Sequence, residues 1–206
     1  ARLSDPLAWA SKLQFLRGWA SADLMAITCQ SDPDARQVTL SHPRRETARF
    51  RPDDPADAAR LIDWLRPLWP ENRPEPAQVV SLPGQAFTDQ DQPLVSINSV
   101  PSLADLSARM GQDLSLHRFR GNIWVDGYAP WAELDLIGQV ITIGTARLRV
   151  EEPIGRCRAT GANPVTGLQD ADTMAALDSQ FGHTDFGVFA RVIGSGTVAL
   201  GDEVRR

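Results

Sequence analysis

From Gly121 to the C-terminus the chain is broken into short β-branched runs separated by glycine and aspartate turns. The runs are Ile123 to Val125, Val140 to Ile143, Arg147 to Val150, Val188 to Ile193 and Thr197 to Leu200. Each is long enough for one strand and too short for a helix, so the second half predicts a barrel or a sandwich. One helix interrupts the pattern: Asp172 to Gln180 begins on an aspartate that can cap it, sets Met174 and Leu177 on one side and has Gly182 beyond its end.

The first half is more mixed. Asp23 to Gln30 reads as a buried strand, which makes Cys29 a core residue, and Gln37 to Ser41 and Thr47 to Arg51 read as the arms of a hairpin. Pro55 to Leu65 repeats apolar residues at helical spacing and stops near Pro67, because proline cannot continue a helix interior. Residues 5 to 20 carry only a weak helical or irregular signal. The prolines at 70, 74, 76, 83 and 93 favour extended chain and loops around a short strand at Gln78 to Leu82. Leu94 to Asn98 is strand-like, and Ser102 to Met110 is a short helix with Ser99 or Ser102 placed to cap it. The expected class is mainly β with a few helices, α+β.

Composition narrows the partners. The 206 residues are 42% hydrophobic and 23% charged, enough for a substantial core, and the formal net charge of -5 argues against a broad nucleic-acid footprint. A local basic pocket for a small anion is still compatible with that total. No apolar stretch approaches the roughly 20 residues of a membrane span, and no basic region followed by an apolar run opens the chain. The expectation is a cytoplasmic protein with neither membrane nor nucleic-acid partners. Cys29 and Cys157 form no C-x-x-C pair, and His42, His117 and His183 have no metal-cluster spacing. There is no P-loop, no G-x-S-x-G elbow and no dinucleotide fingerprint. The six tryptophans are scattered and not interleaved with basic residues, which suits packing better than base stacking.

Two constellations could carry chemistry. If the chain is extended from Arg118, its period of two puts Arg118, Arg120, Asn122 and Asp126 on one face, where guanidinium forks match phosphate oxygens. The alternative is that these arginines are solvated or paired with carboxylates. In Glu152 to Gly167, Cys157 stands between Arg156 and Arg158; on a strand both arginines would point away from the thiol. Cys157 is then either a soft metal ligand or a small buried hydrophobe. Asn163-Pro164-Val-Thr166-Gly167 has turn chemistry throughout. His183 and Asp185 could serve proton transfer or simply form a turn.

The fragments Arg118-Phe-Arg-Gly-Asn122-Ile-Trp-Val-Asp126-Gly, Ile137-Gly, Gly155-Arg-Cys157-Arg-Ala-Thr160, Asn163-Pro-Val-Thr-Gly167, Phe186-Gly-Val-Phe189 and Gly196 to Val204, taken in this order, resemble MOSC domains. The resemblance is best from about Pro93 onward. It implies an N-terminal MOSC-associated region over residues 1–92 and a core β-barrel over 93–206 that holds a molybdopterin-type molybdenum cofactor, as in bacterial relatives of the mitochondrial amidoxime-reducing component. It makes Cys157 the metal or sulfur ligand and the catalytic residue, and makes Arg120, Asn122, Gly155, Arg156, Asp91 and Gln92 cofactor contacts. The implied activity is an oxidoreductase that reduces N-hydroxylated or N-oxide small molecules with electrons from a donor protein. The alternative is a carrier of the cofactor, or of sulfur on Cys157, and a third possibility is an inert binding domain. Relatives carry earlier strands with a Lys-Ser and an Asp-Arg-x-Trp motif, so the N-terminal portion is expected to be incomplete, with an open edge and an unfinished pocket. No lysine recommends itself as a Schiff-base site, so pyridoxal phosphate is not expected.

Overall fold

A computed structural model describes residues 10–81, 92 and 94–206. The chain divides into two compact units, one of residues 1–89 with 161–171 and one of residues 90–160 with 172–206.

In the first unit, β1 (Thr28–Asp32), β2 (Gln37–His42) and β3 (Arg45–Phe50) form an antiparallel sheet in that order. Helix α1 (Pro55–Leu65) starts where its sequence says it should: the Asp54 carboxylate accepts from the backbone N–H of Ala56 and Asp57, both at 2.9 Å, and Pro55 gives up an N–H that would have had no helical partner. Leu61 and Trp64 on its inner side join Leu24, Phe50 and Leu68 in one core. Trp64 meets Phe50 edge-on at 6.3 Å and donates through Nε1 to the Glu46 carbonyl at 2.8 Å, which fastens the helix to β3.

Three expectations fail in this unit. Leu24, Met25 and Ala26 are buried, but in a 3-10 turn over Ala22–Ala26, and the strand begins only at Thr28. A short apolar run does not by itself distinguish the two. Cys29 lies on β1, an edge strand exposed along its whole length, and is exposed instead of part of the core. Residues 78–81 form no strand, and Leu82 lies outside the described residues.

The second unit is a nearly closed, barrel-like sheet of six strands in the order β5-β4-β8-β7-β6-β9, with two helices. Its elements are β4 (Leu94–Ser99), α2 (Val100–Met110), β5 (Ile123–Val125), β6 (Val140–Ile143), β7 (Ala146–Gly155), α3 (Thr173–Phe181), β8 (Asp185–Gly194) and β9 (Val204–Arg205). The class is α+β, as expected, and β4 and β5 run parallel while the other pairs are antiparallel. On β7 alternation places Ala146, Leu148 and Val150 inward, where they pack with Ile97, Ile141, Ile143, Val188 and Ala190. The β7–β8 pairing shifts register at three places, the last between Pro153 and Gly155. Such bulges bend a strand and increase its twist, and they tolerate the proline that a regular ladder would not.

The ends of α2 follow their residues. Ser99 accepts from the Ser102 N–H through its hydroxyl at 3.2 Å, and Gly111, at φ +62°, closes the helix. Asp172 caps α3 by accepting from Ala175 N–H at 3.0 Å. The expected strand at Thr197 to Leu200 does not form: Thr197 N–H donates to Thr145 Oγ1 and Ala199 N–H to Asp202, and the short β9 pairs with β6 instead.

Candidate functional site

The strand register brings the C-terminal end of β4, the end of β7 and the start of β8 together, since Ile97 pairs with Val188 and Gly155 with Asp185. At this end Arg156 turns inward and Cys157 outward, directly after β7 stops. Cys157 is exposed, which overturns the reading of it as a buried hydrophobe. Its carbonyl accepts from both the Thr160 N–H at 3.1 Å and the Thr160 hydroxyl at 3.0 Å, and that hydroxyl shares a 2.6 Å hydrogen bond with the hydroxyl of Thr173, the first residue of α3. Both threonines are buried. The backbone of Cys157 is therefore held from beneath while the residue itself faces solvent.

The Arg156 guanidinium is spent on neutral protein acceptors. It donates to the Phe186 carbonyl from Nε at 2.8 Å and Nη2 at 2.6 Å, to the Phe119 carbonyl from Nη1 at 2.9 Å, and to Oδ1 of Asn98 from Nη2 at 2.7 Å. It also lies 5.4 Å from the Phe119 ring centre and 5.8 Å from that of Phe186. Burial pulls its pKa down to about 10, with a smaller opposing contribution from Cys157.

Asn98 is fully buried on β4 and fills the space that two glycines leave. A Cβ at Gly121 would overlap its Nδ2, and a Cβ at Gly187, where φ is +77°, would overlap its Oδ1 and stand 2.7 Å from the Ile97 carbonyl. Because Oδ1 is fixed by Arg156, the orientation of the carboxamide is set. Its Nδ2 is buried with no acceptor among the described residues.

The arginine-rich segment is not extended. Leu116–Arg118 is a 3-10 turn, Arg120 has φ +47° and the strand begins at Ile123. Arg118 is buried and Arg120 exposed, so they do not share the expected face. Although Arg120 presents surface to solvent, enough protein surrounds its guanidinium for desolvation to lower its pKa. Asn122 accepts from the Ser96 N–H and hydroxyl through Oδ1, each at 2.9 Å, and returns its own N–H to the Ser96 hydroxyl at 2.9 Å. That exchange ties the loop to β4. Gly155 ends β7 and is exposed, Gln92 is half-buried and offers its carbonyl to Leu94 N–H at 2.8 Å, and Asp91 lies outside the described residues. His183 Nδ1 accepts from the Asp185 N–H at 3.1 Å, a turn interaction, and its 4.0 Å approach to the Asp185 carboxylate is too long for a hydrogen bond.

Beneath Arg156 lies an aromatic cluster. Phe119 stacks on Phe186 at 4.2 Å, Trp124 tilts against Phe186 at 6.2 Å, and Trp131 meets Phe181 at 4.3 Å and Phe186 edge-on at 5.7 Å. Trp131 is in the left-handed region at φ +68° and is fixed by polar contacts: its N–H donates to the Ser102 hydroxyl and its Nε1 to Asp105, both at 2.7 Å. The Ser102 hydroxyl in turn donates to the fully buried Glu133 at 2.7 Å. Desolvation raises the Glu133 pKa, and its other oxygen has no partner among the described residues.

Sequence reasoning singled out Cys157, Arg156, Arg120 and Asn122 but missed Asn98, Phe119, Phe186 and Thr173. The one available signal for Asn98 was an amide at the end of the predicted strand Leu94 to Asn98. Among the described residues no group of three or more His, Cys, Asp or Glu side chains could hold a metal ion, so a metal here would need ligands other than a protein cluster. Cys157 presents an exposed thiol, a soft donor, and Arg120 carries a guanidinium of the kind that matches phosphate oxygens.

The MOSC domain family model matches residues 84–205. Among solved structures, YiiM from Geobacillus stearothermophilus is similar at 18% identity, over 53% of this chain and 52% of that one, with a TM-score of 0.43. The chain thus spans about half the length of that protein. A search of the curated proteins found no match. With the family match running from before β4 through β9 and taking in the Cys157 end of the sheet, the chain belongs to the MOSC domain family.

Proposed function

We propose that the protein binds a molybdenum cofactor with Cys157 as the protein ligand to the metal, and works as an oxidoreductase on N-hydroxylated or N-oxide small molecules. The observation that carries this reading is the outward-facing Cys157 on a backbone gripped by buried Thr160. When bound, the cofactor would supply the redox chemistry. The chain's own residues would do the holding: Cys157 offers a soft donor, Thr160 keeps its carbonyl in place, Arg120 would take a phosphate, and Asn122 fastens the loop that carries Arg120 to β4. Arg156 acts from below through its charge, since its hydrogen bonds go to Phe119, Phe186 and Asn98. Gly155, Gln92 and Asp91 remain cofactor contacts in this proposal, as do a cytoplasmic setting and a donor protein for electrons.

The test is elemental analysis of freshly purified protein. Cys157→Ala should lose molybdenum while its thermal melt is unchanged; full metal content in that variant overturns the ligand role. Arg120→Ala should lower cofactor occupancy without unfolding. The exposure of Cys157 also suits a second reading, a carrier of the cofactor or of sulfur, and a persulfide on Cys157 in the mass spectrum would favour it.

A further inference from the structure

We propose that the hollow between β3 and α1 binds a small carboxylate carried on an apolar stem, with Arg45 as the residue that takes the carboxylate. The site lies in the first unit and does not depend on the cofactor reading.

The hollow has a volume of about 250 Å³ and is lined by Arg45, Ala48, Phe50, Arg60, Asp63 and Trp64. On a regular strand Arg45 and Ala48 would point to opposite faces, because side chains alternate. The β2–β3 pairing prevents this. Leu40 pairs with Ala48 and His42 with Arg45, so two steps along β2 are matched by three along β3. A bulge of one extra residue re-aims the side chain beyond it, and Arg45 joins the face of Ala48 and Phe50. There its guanidinium lies over the Trp64 ring, 6.0 Å from the ring centre. The ring is a fixed support, since its Nε1 is committed to the Glu46 carbonyl and its edge contact is with the buried Phe50.

The other charged groups of the hollow are already paired. Arg60, 5.5 Å from the Phe50 ring centre, pairs with Asp57, and Asp63 pairs with Arg66 at 2.9 Å. The Arg45 guanidinium makes no hydrogen bond and no ion pair among the described residues, and its Nε is buried without an acceptor. The two terminal nitrogens are not buried, which leaves the end-on fork of parallel N–H donors open to a ligand. A planar carboxylate matches that fork. Ala48, Phe50 and Trp64 supply apolar surface beside it, which a hydrocarbon stem can cover and inorganic phosphate cannot. Sites for drug-sized ligands run to about 300–1,000 Å³, so the smaller volume here suits an acid group on roughly a single ring.

The probe is benzoate, followed by NMR on the full chain through the Nε–H signal of Arg45 and the indole N–H signal of Trp64. Both signals should move saturably, with a Kd on the order of 1 mM. Benzamide, the neutral isostere, should leave them in place. Acetate and inorganic phosphate, which lack the stem, should bind about fivefold more weakly or worse. Arg45→Gln should weaken benzoate binding about tenfold, read at Trp64, because a charge-assisted pair is lost. Arg49→Gln, on the same strand but outside the hollow, should leave binding unchanged. Signals that stay still, or that respond to benzamide, acetate or phosphate as they do to benzoate, overturn the proposal. So does benzoate binding that survives in a folded Arg45→Gln protein. The four ligands are compared on the native protein, so the test stands even where the variant does not fold. None of these titrations needs bound molybdenum, and their failure would leave the cofactor reading as it is.

Discussion

The hydroxyls of Thr160 and Thr173 lie 2.6 Å apart in the interior and together hold the carbonyl of Cys157. The Thr160 hydroxyl also donates to the Cys157 carbonyl, whereas the Thr173 hydroxyl depends on Thr160 for its partner. Thr160→Val keeps the shape and leaves the Thr173 hydroxyl buried alone, so it should cost about 2 kcal/mol in urea unfolding. The double variant Thr160→Val/Thr173→Val removes both polar groups and should recover part of that loss. A double variant less stable than the sum of the two single changes would show that the pair contributes nothing through mutual satisfaction.

Asn98→Ala should destabilise the protein by about 2 kcal/mol, because it takes one acceptor from a buried guanidinium and opens a cavity between two glycines. The measurement is the urea midpoint at constant m-value. A change under about 0.5 kcal/mol, the range of ordinary surface substitutions, would mean that the two carbonyls satisfy Arg156 unaided.

Glycine is required at 187 by crowding and at 111 only by its dihedral angle. Both have positive φ, but a Cβ at Gly111 would meet nothing within 4 Å, whereas one at Gly187 would strike Asn98 and the Ile97 carbonyl. Gly111→Ala should therefore cost about 1 kcal/mol and Gly187→Ala about 3 kcal/mol or more. Equal losses, read from thermal melts, would refute the steric account.

Glu133 makes stability depend on pH. Burial raises its folded pKa above the ordinary 4.5, so the folded state holds a proton that the unfolded chain releases sooner. Its contribution is complete below the unfolded value and is lost as pH rises through the folded one. The stability difference between the native protein and Glu133→Gln should thus favour the native protein most in acid and shrink towards neutrality. A difference independent of pH would show that Glu133 titrates alike in the folded and unfolded states.

What the chain discloses before folding is its local chemistry. Helix α1 is legible from its apolar spacing and the proline at 67, and α2 and α3 because Ser99 and Asp172 cap them within a few residues of the turns they stabilise. Most barrel strands are legible from β-branched runs, although β7 and β8 extend beyond theirs because neighbours supply pairing that composition does not announce. Cys29 is misplaced by the same reasoning: a strand at a sheet edge can be exposed on both faces, and edge status belongs to the topology. Cys157 is identifiable from its motif, but its exposure follows only once Thr160 and Thr173 meet. Asn98 is invisible for a related reason, since its partners lie on the loop before β5, on β8 and just past β7.

The displaced register of β7 near Pro153 and Gly155 determines which way the chain faces when it reaches the thiol. Side chains on extended backbone alternate sides, so adding or deleting a single residue between Val150 and Gly155 would exchange the roles of its two successors: sulfur would be swallowed and guanidinium expelled. The number of residues in this stretch is therefore more tightly constrained by the fold than their identities.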